Sequence, residues 1–264
     1  MPEDMTLPGN LVPAEQPAEP VLPRDAVTVV LLRDGVEGVE AFLLRRVTGM
    51  AFAGGMTVFP GGGVDRRDAD TGIAWAGPEP AWWGRVFDVD PPTASAFVCA
   101  AVRETFEESG VLLAGPDATS VVADTRPFAD ARQALVDREV SLAQFLAEAK
   151  LVLRADLLRP WSNWVTPVGE PRRYDTRFFM AALPEGQIAD GETTEASHSA
   201  WQRPADAIAD ARAGKHMLMP PTMLTLADVG ELGSVDKVMT AERSVEKIIP
   251  KLVRDGDVVR VVLP

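Results

Sequence analysis

The sequence predicts a mixed α/β layer fold, because strand-like and helix-like stretches alternate along its 264 residues. Three features carry that expectation. The β-branched and apolar runs "AVTVVLL" (26–32) and "VEAFLLRR" (39–46) flank Asp34-Gly35, a turn-forming pair, and so read as a hairpin. "TASAFVCAAVRETFEESG" (93–110) has few breakers before Gly110 and reads as a helix with Thr93 as candidate cap. Downstream, "WVTP" (164–167), "RYDTRFFMAAL" (173–183) and "SHSAWQ" (197–202) read as strands, and "PADAIADARAG" as a helix opened by a first-turn proline.

The remaining segments follow in order. Residues 1–24 carry prolines at 2, 8, 13, 20 and 23 with little apolar pattern, so a disordered arm is expected before a single domain over 25–264. "TVFPGGGVD" (57–65) reads as a short strand that breaks into a glycine loop. An inserted, partly packed loop is expected at about 69–92, where Gly, Pro and Trp are frequent. "ADARQALVDREVSLAQFLAEAK" (129–150) reads as two amphipathic helices, the second capped by Ser141, within a second insertion at about 115–160. "TMLTLADVGELGS" and "VVRVVLP" complete the chain as a helix and a strand.

Composition restricts function. With 46% apolar residues the chain can bury a sizeable core, yet no apolar run approaches the length of a membrane span. The acidic, proline-containing start lacks the basic and apolar regions of a secretory signal, so export is not expected. Cys99 is the single cysteine, which excludes an intrachain disulfide and fits a reducing cytoplasm. A formal net charge of −13 repels nucleic acid and anionic membranes, and any anionic ligand needs a counter-cation. His198, His216 and one cysteine are too few for a zinc site of the usual kind. Neither a G-x-S-x-G nucleophile turn nor a Gly-Lys-Ser/Thr phosphate loop is present.

The chemistry concentrates in "RETFEESG" (103–110). On a helix Glu104, Glu107 and Glu108 stand at i, i+3 and i+4, so their carboxylates converge on one patch. Like charges repel, and Arg103 alone cannot neutralise all three. An oxygen-only cluster of this kind suits Mg²⁺ or Mn²⁺. In isolation such a triplet, in a chain with 39 acidic residues, reads more readily as a solvent-facing helix face than as a site.

"FPGGGVD" and "RETFEESGV" together resemble the Nudix hydrolase box, Gly-x5-Glu-x7-Arg-Glu-U-x-Glu-Glu-x-Gly-U with U aliphatic. Gly62 and five further residues lead to Asp68, and Arg103, Glu104, Glu107, Glu108, Gly110 and Val111 match the second half in register. Three positions depart from the pattern: Asp68 replaces Glu, Thr105 holds an aliphatic position, and residues 69–102 stand where the family has seven. A box split at this point is similar to the coenzyme-A diphosphatase branch, which "RYDTRFFMAALP" and "HSAWQRPADAI" also resemble. The resemblance implies a Nudix-type α/β/α sandwich around a mixed sheet with a helical insertion, and hydrolysis of a diphosphate linkage with Mg²⁺ or Mn²⁺ as cofactor. It implies Glu107 and Glu108 as metal ligands, Glu104 as a further ligand or the base, the Gly61 carbonyl as a ligand, and Arg103 as the group that orients the glutamates. A base outside the box, Glu192 or Glu195 in "DGETTEAS", is the alternative.

Substrate contacts are less specific. Arg45 and Arg46 end a strand near the glycine loop, and Arg172, Arg173 and Arg177 surround Tyr174; guanidinium forks of this kind hold phosphates, or equally balance an acidic surface. Lys215, His216, Met217 and Met219 read as a pocket lip, Met217 and Met219 equally as core filler, and Trp75, Trp82 and Trp83 more readily as packing than as base-stacking groups. The expected partner is a small nucleoside diphosphate derivative rather than nucleic acid or membrane, and a homodimer is left open. The expected reaction releases 3′,5′-ADP and a phosphopantetheine from coenzyme A or acyl-coenzyme A. The alternatives are NADH or ADP-ribose as substrate, or a binding module without catalysis.

Overall fold

The computed structural model describes residues 6–9, 19–47, 55–70, 72–193, 196–256 and 258–264. The first part of the chain holds β1 (Thr6–Pro8), β2 (Arg24–Gly35), β3 (Gly38–Arg46), β4 (Met56–Val58), β5 (Gly61–Gly63), β6 (Trp75–Ala76), α1 (Pro80–Phe87), α2 (Pro91–Ser109) and β7 (Ala114–Gly115). α3 (Ala129–Val136), α4 (Leu142–Ala149), β8 (Val152–Arg154), β9 (Leu158–Val165), β10 (Tyr174–Ala182) and β11 (Ala196–Gln202) follow. The last part comprises α5 (Pro204–Arg212), β12 (Met217–Leu218), α6 (Pro220–Leu232), α7 (Val235–Thr240), β13 (Lys247–Ile248), β14 (Lys251–Asp255) and β15 (Val258–Val262).

The main sheet is mixed and runs β12-β4-β3-β2-β10-β9-β13, with β11 on the other edge of β3 and β5 beside β2. β2 reads as a continuous apolar run because it is buried on both faces. Val27, Val29 and Leu31 enter the core that also holds Phe97, Val98, Ala101 and Val102 of α2, whereas Val30 and Leu32 enter the core of α5, α6 and α7. Helices thus cover both faces of one mixed sheet, the α/β/α sandwich expected from the box. Among the described residues no helix is long and apolar enough to cross a membrane.

Several elements differ from the sequence reading. Thr6–Pro8, in the arm expected to be disordered, pair with β15 on the edge opposite β14; residues 1–5 and 10–18 lie outside the described residues. β9 begins at Leu158, because a bulge at Phe178/Phe179 accommodates Pro160, a residue that reads as a strand breaker. β15 closes a small separate sheet, and β13 adds to the main one.

The largest difference concerns the first insertion, read as a partly packed loop. It contains helix α1, whose Trp83 and Phe87 are buried in the α2 core. The Trp83 ring stacks on Phe87 and tilts against Phe179 of β10, and its indole N–H donates to the Pro78 carbonyl. α2 itself begins at Pro91, and its cap is Asp90, whose carboxylate accepts from the Thr93 N–H at 3.0 Å. Thr93 is therefore the residue that is capped. The hairpin of α3 and α4 matches the reading of 129–150, and Ser141 caps α4 in a reciprocal pair with Gln144.

Candidate active site

The site forms where β2 and β3 part. The two strands pair only from Leu32↔Ala41 to Gly35↔Gly38. Towards the other end β4 takes the edge of β3 (Leu44↔Val58), and β5 takes the edge of β2 (Ala26↔Gly63 to Thr28↔Gly61). The chain through Phe59 and Pro60 therefore crosses from one strand to the other, and the Pro60 carbonyl accepts from Val29 N–H at 2.8 Å. The glycines expected to form a loop are strand β5. Gly61 and Gly62 make close approaches: a Cβ on Gly61 would lie 2.8 Å from Thr28 Cα, and one on Gly62 would lie 2.5 Å from Glu104 Oε1.

Helix α2 lays its last turns over this strand. Gly61 N–H donates to Glu108 Oε2 at 2.8 Å, so Gly61 meets the glutamates through its amide. Glu104 lies against Gly62, and Arg103 Nη2 donates to the Gly63 carbonyl at 3.0 Å. Thr105, at the aliphatic box position, is fully buried and donates its hydroxyl to the Ala101 carbonyl at 2.7 Å, which satisfies it within the helix.

Arg103 joins the two halves of the split box. Its Nε and Nη2 meet Oδ1 and Oδ2 of Asp68, each at 2.9 Å, in a fork that is almost fully buried. Nη1 donates to Glu104 Oε1 at 2.7 Å and to Glu107 Oε1 at 3.2 Å. Asp68 is itself placed by a 3-10 turn over Arg66–Ala69, in which its carboxylate accepts from Asp65 N–H while Asp65 accepts from Arg67 N–H. Asp68 reaches the site as the partner of Arg103, a contact that its spacing from Gly62 signals but that the long insertion obscures.

The electrostatics show a surplus of acid. Burial pushes the Glu104 carboxyl up to about 7, Glu107 and Asp68 add to the shift, and Arg103 opposes it. Burial also raises Glu107 against the pull of Arg103. For Arg103, burial works against the charge, but the Asp68 hydrogen bonds and the glutamates outweigh it and keep the guanidinium protonated. The Arg103 guanidinium serves Asp68, Glu104 and Glu107, Arg138 adds its charge near Glu107, and Glu108 accepts from the Gly61 amide. Among the described residues no three acidic, histidine or cysteine side chains stand converged in metal-holding geometry. The donor set is nonetheless all carboxylate oxygen and half sequestered, which is the chemistry a hard divalent cation fits.

The other candidates lie further out. Arg45 and Arg46 end β3 at the same end of the sheet; Arg45 pairs with Thr57 of β4 and donates from Nη2 to the Lys215 carbonyl at 3.1 Å. Tyr174 opens β10 opposite Arg24, on the edge of β2 away from β5. Arg173 is buried and donates to the carbonyls of Thr166 at 3.0 Å and Val21 at 2.8 Å, so it binds backbone. Glu192 is exposed, and Glu195 lies outside the described residues. Arg132, which no local signal marks, donates to the carbonyl of Glu107 at 3.0 Å.

This sheet, with a glutamate helix set over a glycine strand, is the arrangement of a Nudix fold. A crystal structure of a Nudix hydrolase from Alicyclobacillus acidocaldarius superimposes with a TM-score of 0.70 at 25% identity, covering 85% of this chain and 98% of that one. A family model described as the NUDT19 Nudix domain matches residues 85–229, more than half of the chain, including the glutamate half of the box. A putative nudix hydrolase 7 of Caenorhabditis elegans is 29% identical over 222 residues, covering 81% of this chain and 62% of that protein. The acyl-coenzyme A diphosphatase NUDT19 of Homo sapiens is 27% identical over 264 residues, covering 84% of this chain and 70% of that protein. The chain thus spans less than two thirds of the length of the nematode relative. It belongs to the Nudix hydrolase family, with the NUDT19 type of Nudix domain.

Proposed function

We propose that this chain is a divalent-cation-dependent Nudix diphosphatase acting on coenzyme A or acyl-coenzyme A, releasing 3′,5′-ADP and the corresponding phosphopantetheine. The observation that carries the reading is the largely buried glutamate face of α2 on β5, with both halves of the split box joined through Arg103 and Asp68. The substrate class rests on likeness to a relative named as an acyl-coenzyme A diphosphatase.

Glu104, Glu107 and Glu108 are the side chains that would hold Mg²⁺ or Mn²⁺. Bound there, such an ion supplies positive charge to the diphosphate oxygens and acidifies water. The chain's own residues do the rest. Asp68 and Arg103 tie the helix to the strand, with Arg103 held to Glu104, Glu107 and the Gly63 carbonyl. Glu104 would serve as the further ligand or, with Glu107 and Glu108 holding the ion, as the base that takes a proton from the attacking water. Arg45 and Arg46 are the arginines proposed to meet substrate phosphates, because the strand that carries them ends beside β4. With a lone buried cysteine, we assign the protein to a reducing compartment such as the cytoplasm.

Glu107→Gln tests the assignment, because it removes one carboxylate charge with almost no change of shape. Turnover of coenzyme A is expected to fall by about a hundredfold or more, with the melting temperature unchanged or raised. Turnover at the wild-type rate in this variant would remove Glu107 from the machinery.

A further inference from the structure

The hairpin of α3 and α4 meets the split box at two points. From the box, Arg67 Nη1 donates to the carbonyls of Arg138 at 2.9 Å and Val140 at 3.3 Å, in the turn between the two helices. From the hairpin, Arg132 reaches the C-terminal turn of α2. Its Nε donates to the Glu107 carbonyl at 3.0 Å, and its Nη1 donates to Asp190 Oδ2 at 2.9 Å. Nη2 lies 2.9 Å from Asp190 Oδ1 and completes a two-pronged ion pair, although its N–H is not aimed for a hydrogen bond. α2 carries no basic residue in its own last turn, so Arg132 brings from another element the positive charge that the carbonyl end of a helix attracts.

Asp190 passes this hold to the following segment. Its N–H donates to the Ser109 carbonyl at 2.9 Å, and its Oδ1 accepts from Glu192 N–H at 3.0 Å. Gly110 lies where these groups meet. It adopts the left-handed conformation at φ 71°, and a Cβ there would stand 2.7 Å from Asp190 Oδ2 and 3.0 Å from Arg132 Nη1. The helix end requires glycine at this position, and a Cβ there would press on the clamp.

We propose that Arg132 is a positioning residue. With Asp190 it locks residues 190–193, and with them Glu192, to the turn of α2 that bears Glu107 and Glu108. This rests on the hydrolase reading and deepens it, because it assigns a task to the second insertion. Arg132 touches no reacting atom; it holds loop and helix end in register. A lysine has a single nitrogen and cannot grip the carbonyl and the carboxylate as a fork does.

The test uses the full chain with Arg132→Met, Arg132→Lys and Asp190→Asn, followed by coenzyme A kinetics and by hydrogen exchange of peptides covering 186–193 and 95–108. Arg132→Met is expected to lower kcat about ten- to hundredfold, the scale of a small misplacement of reacting groups, with little change in KM. Exchange is expected to quicken across 190–193 and to stay slow in the body of α2. Arg132→Lys should recover part of the loss, and Asp190→Asn should reproduce it. Unchanged exchange at 190–193, or lowered melting with kcat intact, would overturn the proposal. If Arg132→Met fails to fold, Asp190→Asn carries the same comparison. If the wild type hydrolyses no diphosphate, the hydrolase reading falls, and exchange alone decides whether the clamp holds the segment.

Discussion

Glu104 is the residue at which fold stability and function pull apart. Its carboxyl is held up at about 7 against an ordinary value of 4.5, so between these the folded chain binds a proton that the unfolded chain has lost. Stability contributed at this residue therefore falls as pH rises from about 4.5 to 7 and stays low above that. With a chelator present, Glu104→Gln is expected to flatten this slope and to stabilise the protein at pH 8 by roughly 1–3 kcal/mol, while losing activity. A slope that survives the substitution in denaturant melts would place the titration elsewhere. Asp68 acts in the opposite sense. Asp68→Ala leaves a buried guanidinium without its fork partner, and the expected cost is about 3–5 kcal/mol in equilibrium unfolding. A loss under about 1 kcal/mol would mean that Glu104 and Glu107 suffice to hold Arg103.

The elements show how much of this could be read from residues alone. The β2–β3 hairpin and helices α3 to α6 follow from apolar pattern, turn pairs and caps, all of which act within a few residues. The glutamate patch of α2 was legible for the same reason, since i, i+3 and i+4 spacing is local. What escaped is long-range. "AWWGRVF" sits among Gly, Pro and Asp and reads as loop, yet Trp83 finds Phe87 in the next turn and Phe179 from a strand far along the chain. Thr93 resembles a cap, but Asp90 three residues earlier accepts its N–H and leaves Pro91 at the first helical position, where a missing donor costs nothing. Arg132 and Asp190 carry no local signal, because their meaning lies in the end of α2, which tertiary structure brings to them. The first insertion is thus part of the core. Trp83→Ala is expected to cost about 3–5 kcal/mol, and deletion of residues 70–92 to abolish folding. A folded deletion variant with only a raised KM would instead make the insertion a lid.

At the scale of the molecule, the two insertions and β5 all hold helix α2 in place. α1 packs the start of α2 into the core, the α3–α4 hairpin grips its last turn, and β5 presents the backbone on which its glutamates rest. In the proposed reaction a doubly anionic diphosphate would approach a protein of formal net charge −13, and bound cations would offset that repulsion. Mass analysis of the products from coenzyme A, NADH and ADP-ribose, each with Mg²⁺ and again with chelator, is the direct test. The expected result is 3′,5′-ADP from coenzyme A, formed only with the metal. AMP from NADH or ADP-ribose in its place would move the substrate, and hydrolysis undiminished by chelator would contradict the role given to the glutamates.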